Sequence, residues 1–426
     1  MRLLIKNGRV IDPASKTDET LDVLIEHGRI IELKSKIEPA GCRVIDASRL
    51  VVAPGFIDMH AHLREPGEEQ KEDIRSASLA AAKGGFTSIC AMPNTSPVND
   101  RRAVTEYILS AAKTKAVVGV YPIAAITQGL GGEALTDMAD LIDAGAVAFS
   151  DDGRGVQNSL IMLRALEQAN SLNSLVIEHC EDRNLSRDGL MHQGAASSLL
   201  GLRGIPGSAE DVMVARDIVL AGAARARLHI AHLSTRVAVD LVRDAKKRNI
   251  EVTAEATPHH LVLVDSDLVR PDTNFKVNPP LRGREDVQAL LEAVQEGVID
   301  ILATDHAPHT AEEKAVGFDR APFGIAGLET AVSLFLDRLV NKNLISLARF
   351  VEMLSTTPAK ILGRKNKGRI APGADADLTI LSLSKDVTVD VGSFVSKSRN
   401  NPFQGWRLRG APVMTVVAGE IAYPFA

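Results

Sequence analysis

Eight short apolar runs punctuate the middle of this chain, and longer segments of helical pattern separate them. The runs are "GFIDMHAH" (55–62), "FTSICAM" (86–92), "AVVGVYPIAA" (116–125), "AVAFS" (146–150), "SLVIEHC" (174–180), "RLHIAHL" (227–233), "EVTAEAT" (251–257) and "VIDILATD" (298–305). Each has the length and texture of a strand buried on both faces. The segments between them, such as "EDIRSASLAAAKGG" and "REDVQALLEAVQEG", carry helical periodicity and close on glycine. Strands alternating with helices make parallel β/α units, and eight such units close a cylinder. An open doubly wound sheet is the alternative, but no G-x-G-x-x-G follows any of the strands. The expectation is an α/β protein with a (β/α)8 barrel over residues 53–365.

The two ends of the chain have a different texture. "LLIKNGRVID", "DVLIEHGRIIEL" and "RVIDASRLVVAPG" alternate apolar and polar residues between turn signals, and so do "GRIAPGADADLTILSL" and "VMTVVAGEIAY". That is the pattern of short antiparallel strands. Residues 1–52 and 366–426 are therefore expected to build one small composite β-sandwich domain. With 426 residues, 45% of them hydrophobic, the chain is long enough for both units. A net charge of −5 argues against a generic nucleic-acid surface. No apolar run reaches the roughly 18 residues of a membrane span. Lys6 and Arg9 interrupt the first hydrophobic stretch, which is unlike a secretory signal. Cys42, Cys90 and Cys180 show no C-x-x-C spacing and read as reduced, mostly buried thiols. The expected setting is cytoplasmic, with no membrane or nucleic-acid partner.

In a barrel of this kind the active site lies at the C-terminal ends of the strands. The first run ends in His60 and His62, the fourth in Asp151 and Asp152, the fifth in His179, the sixth in His232 and the eighth in Asp305. One histidine at a strand end is commonly a structural hydrogen-bonder. Imidazoles and carboxylates at five of eight ends of one rim instead describe a metal site. Nitrogen and oxygen donors without thiolates suit zinc, with manganese, cobalt and iron still open. Arg64 follows His62 by two residues; a lone arginine is commonly a surface charge, and this one gains weight only from its neighbours. His27 and His192 read as solvated, His229 and His306 as facing away from the rim, and His259 and His260 as supporting groups near it.

"FIDMHAHLREPG", "MPNTSPVND", "FSDDG", "IEHCED", "IAHLST", "ATPHHL", "KVNPPLR" and "ATDHAPH", in this order, resemble the amidohydrolase superfamily, and more narrowly its class I bacterial dihydroorotases. The resemblance runs over essentially the whole chain. It implies a zinc-dependent interconversion of N-carbamoyl-L-aspartate and (S)-dihydroorotate in pyrimidine biosynthesis. It further implies two zinc ions per subunit, one held by His60, His62 and Asp305 and one by His179 and His232, with Asp152 bridging. Asp305 would be the catalytic base. Arg64, Asn94 and His309 would clamp the substrate carboxylate, and Asn278, Phe323 and Gly324 would contact the ring. A homodimer and a complex with aspartate transcarbamoylase are the implied partners. Many relatives bridge their metals with a carboxylated lysine at the fourth strand end, whereas no lysine lies between residues 116 and 244.

Two other readings remain at this stage. One is a different cyclic-amide hydrolase, of hydantoinase or allantoinase type, which the missing lysine disfavours. The other is a non-catalytic scaffold for aspartate transcarbamoylase, which would be expected to have lost part of the ligand set. The segment 309–324, "HTAEEKAVGFDRAPFG", reads equally as a lid or as an ordinary solvated loop.

Overall fold

The computed structural model describes residues 2–424. All eight expected runs form strands: β1 Phe56–Ala61, β2 Phe86–Ala91, β3 Gly119–Ala124, β4 Ala148–Phe149, β5 Leu175–Glu178, β6 Arg227–Ile230, β7 Val252–Ala256 and β8 Ile301–Leu302. They hydrogen-bond in sequence order from β1 to β8 as one sheet. The ring closes just beyond β8, where Ala61 bridges His306 in parallel and the His62 amide donates to the His306 carbonyl at 2.9 Å. Asp58 reinforces the seam by accepting from the Thr304 amide at 3.0 Å and hydroxyl at 2.6 Å.

Helices cover the outside, and their ends follow the sequence signals. The helix Ile74–Gly84 starts from the Asp73 side chain, which accepts from the Ser76 amide. It stops at Gly85, whose φ of 93° is accessible to glycine at little cost. The helix Arg284–Glu296 ends the same way at Gly297, with φ 79°. Inside the barrel, Ile57, Met59, Cys90, Ile123, Ile177 and Ile301 pack against Ala359 and Ile361 of the helix Thr357–Ile361. This end of the barrel interior is thus packed with apolar side chains, and the clustered imidazoles lie at the opposite rim.

Strands from both termini join in one eight-stranded sheet. Its seam is Val51–Pro54, which pairs in parallel with Arg2–Asp12 on one side and antiparallel with Leu378–Thr388 on the other. Leu3, Ile5, Val23, Val52, Leu378, Ile380 and Val416 form its own core. Gly55 connects the seam to β1, and a Cβ there would stand 2.2 Å from the Thr87 hydroxyl oxygen. The sheet docks on the barrel through Thr415, which donates to the Ala82 carbonyl, and Thr379, which donates to the Gly85 carbonyl, both at 2.7 Å. Between Leu378–Thr388 and Arg407–Val417, residues 394–403 cross back to the barrel rim. Cys90 and Cys180 are buried, Cys42 is partly exposed, and all three are free thiols. Among the described residues no helix is long and apolar enough to cross a membrane.

Candidate metal centre and substrate cavity

Each strand-end residue expected in the ligand set reaches one place at the C-terminal rim. His60 lies within β1, and His62 lies one residue beyond it, with ring centroids 5.5 Å apart. Their Nε2 atoms lie 3.4 and 3.2 Å from Asp305 Oδ1. Asp152, three residues past β4, is 3.3 Å from His60 Nε2 and 3.5 Å from His62 Nε2. The Oδ1 that faces His60 also stands 3.8 Å from His179 Nδ1 and 3.9 Å from His232 Nε2, and these two nitrogens are themselves 2.9 Å apart. Asp152 is therefore central to the cluster. His60, Asp152 and His232 bring ligand atoms within 4.8 Å of one another, as do His60, His62 and Asp305.

The other side of these rings is equally ordered. His60 Nδ1 pairs with Glu255 at 2.6 Å, His62 Nδ1 with the Asn94 side-chain oxygen at 2.9 Å, and His179 Nε2 with Glu181 at 3.1 Å. A ring nitrogen held by a carboxylate or amide leaves the opposite lone pair aimed at the centre, which is how metal-binding histidines are set up. Glu255 also accepts from the His232 amide and pairs with His229, so one buried carboxylate serves two residues of the cluster. Neither Glu255 nor Glu181 stood out in the sequence reading. Glu255 had a signal, as a carboxylate inside the apolar run "EVTAEAT".

The charges interlock. Burial disfavours the ionised form of Asp152, but His60, His62 and His179 hold its pKa well below the usual carboxylate range. Asp305 is lowered in the same way, burial being outweighed by His60 and His62. Burial works against protonated His60, yet Glu255, Asp152 and Asp305 raise its pKa well above the ordinary value. Burial, helped by His179 and His60, lowers His232 to about 3, so its ring is neutral. His60 Nε2 and Asp152 Oδ1 are buried without a hydrogen-bond partner. An unpaired buried polar atom costs about 1–3 kcal/mol, and a divalent cation satisfies both atoms at once. The donor set fits such an ion.

Beside the cluster is a cavity of about 340 Å³, lined by Arg64, Asn94, Asn278, His309, Phe323 and Gly324 among others. Arg64 is buried, with Nε donating to the Pro308 carbonyl at 3.2 Å. Asn94 spans His62 and Asp152, its amide nitrogen 3.4 Å from the latter. Asn278 donates to Glu181 at 2.8 Å. His309 Nε2 is 2.8 Å from the Phe323 carbonyl, and burial beside Arg64 lowers its pKa, so the ring is neutral. Gly324 gives its amide to the Lys276 carbonyl and its own carbonyl to Asn400, both at 2.8 Å, so it meets the cavity by van der Waals contact.

Asp151 is not part of the cluster. Its carboxylate accepts from the Ile126 and Thr127 amides at 2.8 and 2.9 Å and fixes the turn after β3. His27 is exposed, as expected, while His306 points away to Glu72 and His229 to Thr253. His192 departs from the solvated reading: its Nδ1 accepts from Arg282 at 3.3 Å, and it is only partly exposed. His260 supports the Asn278 turn through the Pro279 carbonyl at 2.8 Å, whereas neither nitrogen of His259 has a partner.

Comparison with known proteins agrees with this geometry. The dihydro-orotase-like family matches residues 48–238, and the amidohydrolase family matches residues 213–423. Over 425 residues the chain is 52% identical to a dihydroorotase of Syntrophus aciditrophicus, covering 99% of both proteins. The chain belongs to the dihydroorotase family. A second dihydroorotase, from Bacillus cereus, is 48% identical over 423 residues, 99% of this chain and 98% of that one. Among solved structures, L-hydantoinase (dihydropyrimidinase) from Arthrobacter aurescens superposes with a TM-score of 0.90 at 27% identity, over 99% of this chain and 96% of that one. D-hydantoinase from Thermus sp. gives a TM-score of 0.83 at 26% identity, over 99% and 95% of the two chains. The barrel framework is thus shared with hydantoinases, while the whole-chain identity lies with dihydroorotases.

Proposed function

We infer that the chain is a cytoplasmic dihydroorotase, a hydrolase of cyclic amides that interconverts N-carbamoyl-L-aspartate and (S)-dihydroorotate in pyrimidine biosynthesis. The observation that carries this reading is the meeting of four imidazoles and two carboxylates, with Asp152 at their centre, beside a cavity lined by a buried arginine. Zinc suits these donors. In this reading His60, His62 and Asp305 would hold one ion, His179 and His232 would hold a second, and Asp152 would serve both. The metal, when bound, acidifies a water and polarises the amide carbonyl.

The protein groups do the remainder. Asp305, ionised at neutral pH, accepts a proton from the attacking water as the C–O bond forms. It returns that proton to the ring nitrogen as the C–N bond breaks, and the reverse transfer closes the ring. Arg64 meets the substrate carboxylate as a charged fork, with Asn94 and His309 on the same side, while Asn278, Phe323 and Gly324 border the ring. The barrel, residues 53–365, is the catalytic unit, and the composite domain of residues 1–52 and 366–426 supports it. Self-association and a complex with aspartate transcarbamoylase belong to the same reading, and the mass of the protein in solution with and without that partner tests both.

The deciding experiment measures zinc content and turnover of dihydroorotate, hydantoin and allantoin on one metal-loaded preparation. Dihydroorotate should be the preferred substrate. Asp305→Asn should lower turnover on the order of 10²–10⁴-fold with the fold intact. Near-normal turnover in that variant, or a preference for hydantoin, rejects the assignment.

A further inference from the structure

Asn400 lies far from the ligand cluster in sequence, on the 394–403 crossover, yet its side chain is only 3% exposed and all of its polar atoms are engaged. The amide nitrogen donates to the Ala307 carbonyl at 3.0 Å and to the Gly324 carbonyl at 2.8 Å. The side-chain oxygen accepts from the His309 amide at 3.3 Å, and the Asn400 main-chain carbonyl accepts from the Ala326 amide at 2.8 Å. Ser398 works alongside it: its hydroxyl accepts from the His309 amide at 3.1 Å and is placed 2.8 Å from the His309 carbonyl.

These partners are not scattered. Ala307 and His309 begin the loop that follows β8, and Gly324 and Ala326 end it. His309 and Gly324 both line the cavity, with Phe323 between them held by the His309 ring. A side chain that bonds both stems of one loop fixes the gap between them, and here that gap is a wall of the cavity. No metal-facing atom is involved, so the tie acts on the substrate side alone.

We propose that Asn400, seconded by Ser398, is a positioning residue that sets the separation of His309 from Phe323–Gly324 and thereby the fit of the substrate. This rests on the functional reading given above. It assigns a role in substrate affinity to a segment that contributes no atom to the ligand cluster.

The test is steady-state kinetics and metal content of Asn400→Ala and Ser398→Ala on dihydroorotate. Loosened positioning should raise KM about tenfold or more in Asn400→Ala, and less in Ser398→Ala, because slack of a fraction of an ångström weakens binding steeply. kcat should change less than about threefold and bound metal should be unchanged, since the ligand cluster is untouched. A folded Asn400→Ala with unchanged KM overturns the proposal, as does a fall in kcat together with metal loss. If Asn400→Ala does not fold, Ser398→Ala decides: a raised KM upholds the proposal and an unchanged KM overturns it. Failure of the functional reading itself looks different, because the unsubstituted protein would then not turn over dihydroorotate.

Discussion

Glu255 braces two residues of the cluster from the side away from the cavity. It fixes the His60 ring, the His232 main chain and the His229 ring at once, and His60 and His229 hold it ionised despite full burial. Replacing it with alanine should lower metal affinity 10–100-fold, on the order expected when a supporting carboxylate is removed. Competition with a chelator measures that loss, and an unchanged affinity would assign Glu255 to packing alone. The clustering of these histidines and aspartates was legible because each sits at or just past the end of an apolar run, where the barrel geometry leaves one direction to face. The supporting carboxylates were less so. Glu181 lies in "IEHCED" among other acids, and only the structure separates it from Asp182, which caps a short helix. Backbone conformation was also hidden: Arg64, His232 and Asp305 have φ values of 62°, 31° and 45°, left-handed conformations that cost on the order of 1–3 kcal/mol each.

Among elements, the loop after β8 was the one whose character the sequence left open. Its helix, Ala311–Lys314, is capped by Thr310 and ends in a lysine that is turned inward. Lys314 donates to the Pro322 carbonyl at 2.9 Å and the Gly324 carbonyl at 3.2 Å, while Lys276 donates to the Phe318 and Ala321 carbonyls, both at 2.6 Å. The sequence shows charge here and leaves a lid and a solvated loop equally open, because ammonium groups satisfied by main-chain oxygens leave no pattern along the chain. Burial, with Lys276 nearby, brings the Lys314 pKa from 10.5 to about 7. Between those values the unfolded chain holds a proton that the folded chain does not, so this lysine makes stability rise with pH there and has a constant effect below about 7. The melting temperature of the unsubstituted protein, relative to Lys314→Met, should therefore climb from about pH 7 to about pH 10. A flat difference would mean that Lys314 keeps its ordinary affinity for protons. The strands were easier to read than their lengths: the run 146–150 was expected as a strand, but only Ala148–Phe149 is paired as one. Apolar character reports burial, whereas pairing depends on a neighbour elsewhere in the chain.

Across the whole molecule, the ligand cluster joins β1, β4, β5, β6 and the end of β8, so it spans the circumference of the barrel. A cation bound there stabilises the folded state by mass action and ties distant strands together. Chelation of the loaded protein should lower its melting temperature, and re-addition of zinc should restore it; an unchanged melt would place the metal outside the folded framework. The barrel and the terminal sheet were both visible beforehand, since periodicity separates strand–helix alternation from strand–turn alternation. Which strand would join the two ends was not, because Val51–Pro54 looks like its neighbours until Leu378–Thr388 is laid against it.

That join has a consequence for biogenesis. A ribosome finishes the left half of the terminal sheet early, then makes the entire barrel before the matching partner emerges. Throughout that interval the Val51–Pro54 edge stands open, an adhesive border for any passing extended chain. An edge left unpaired for so long a stretch of synthesis invites mispairing before Leu378–Thr388 is made.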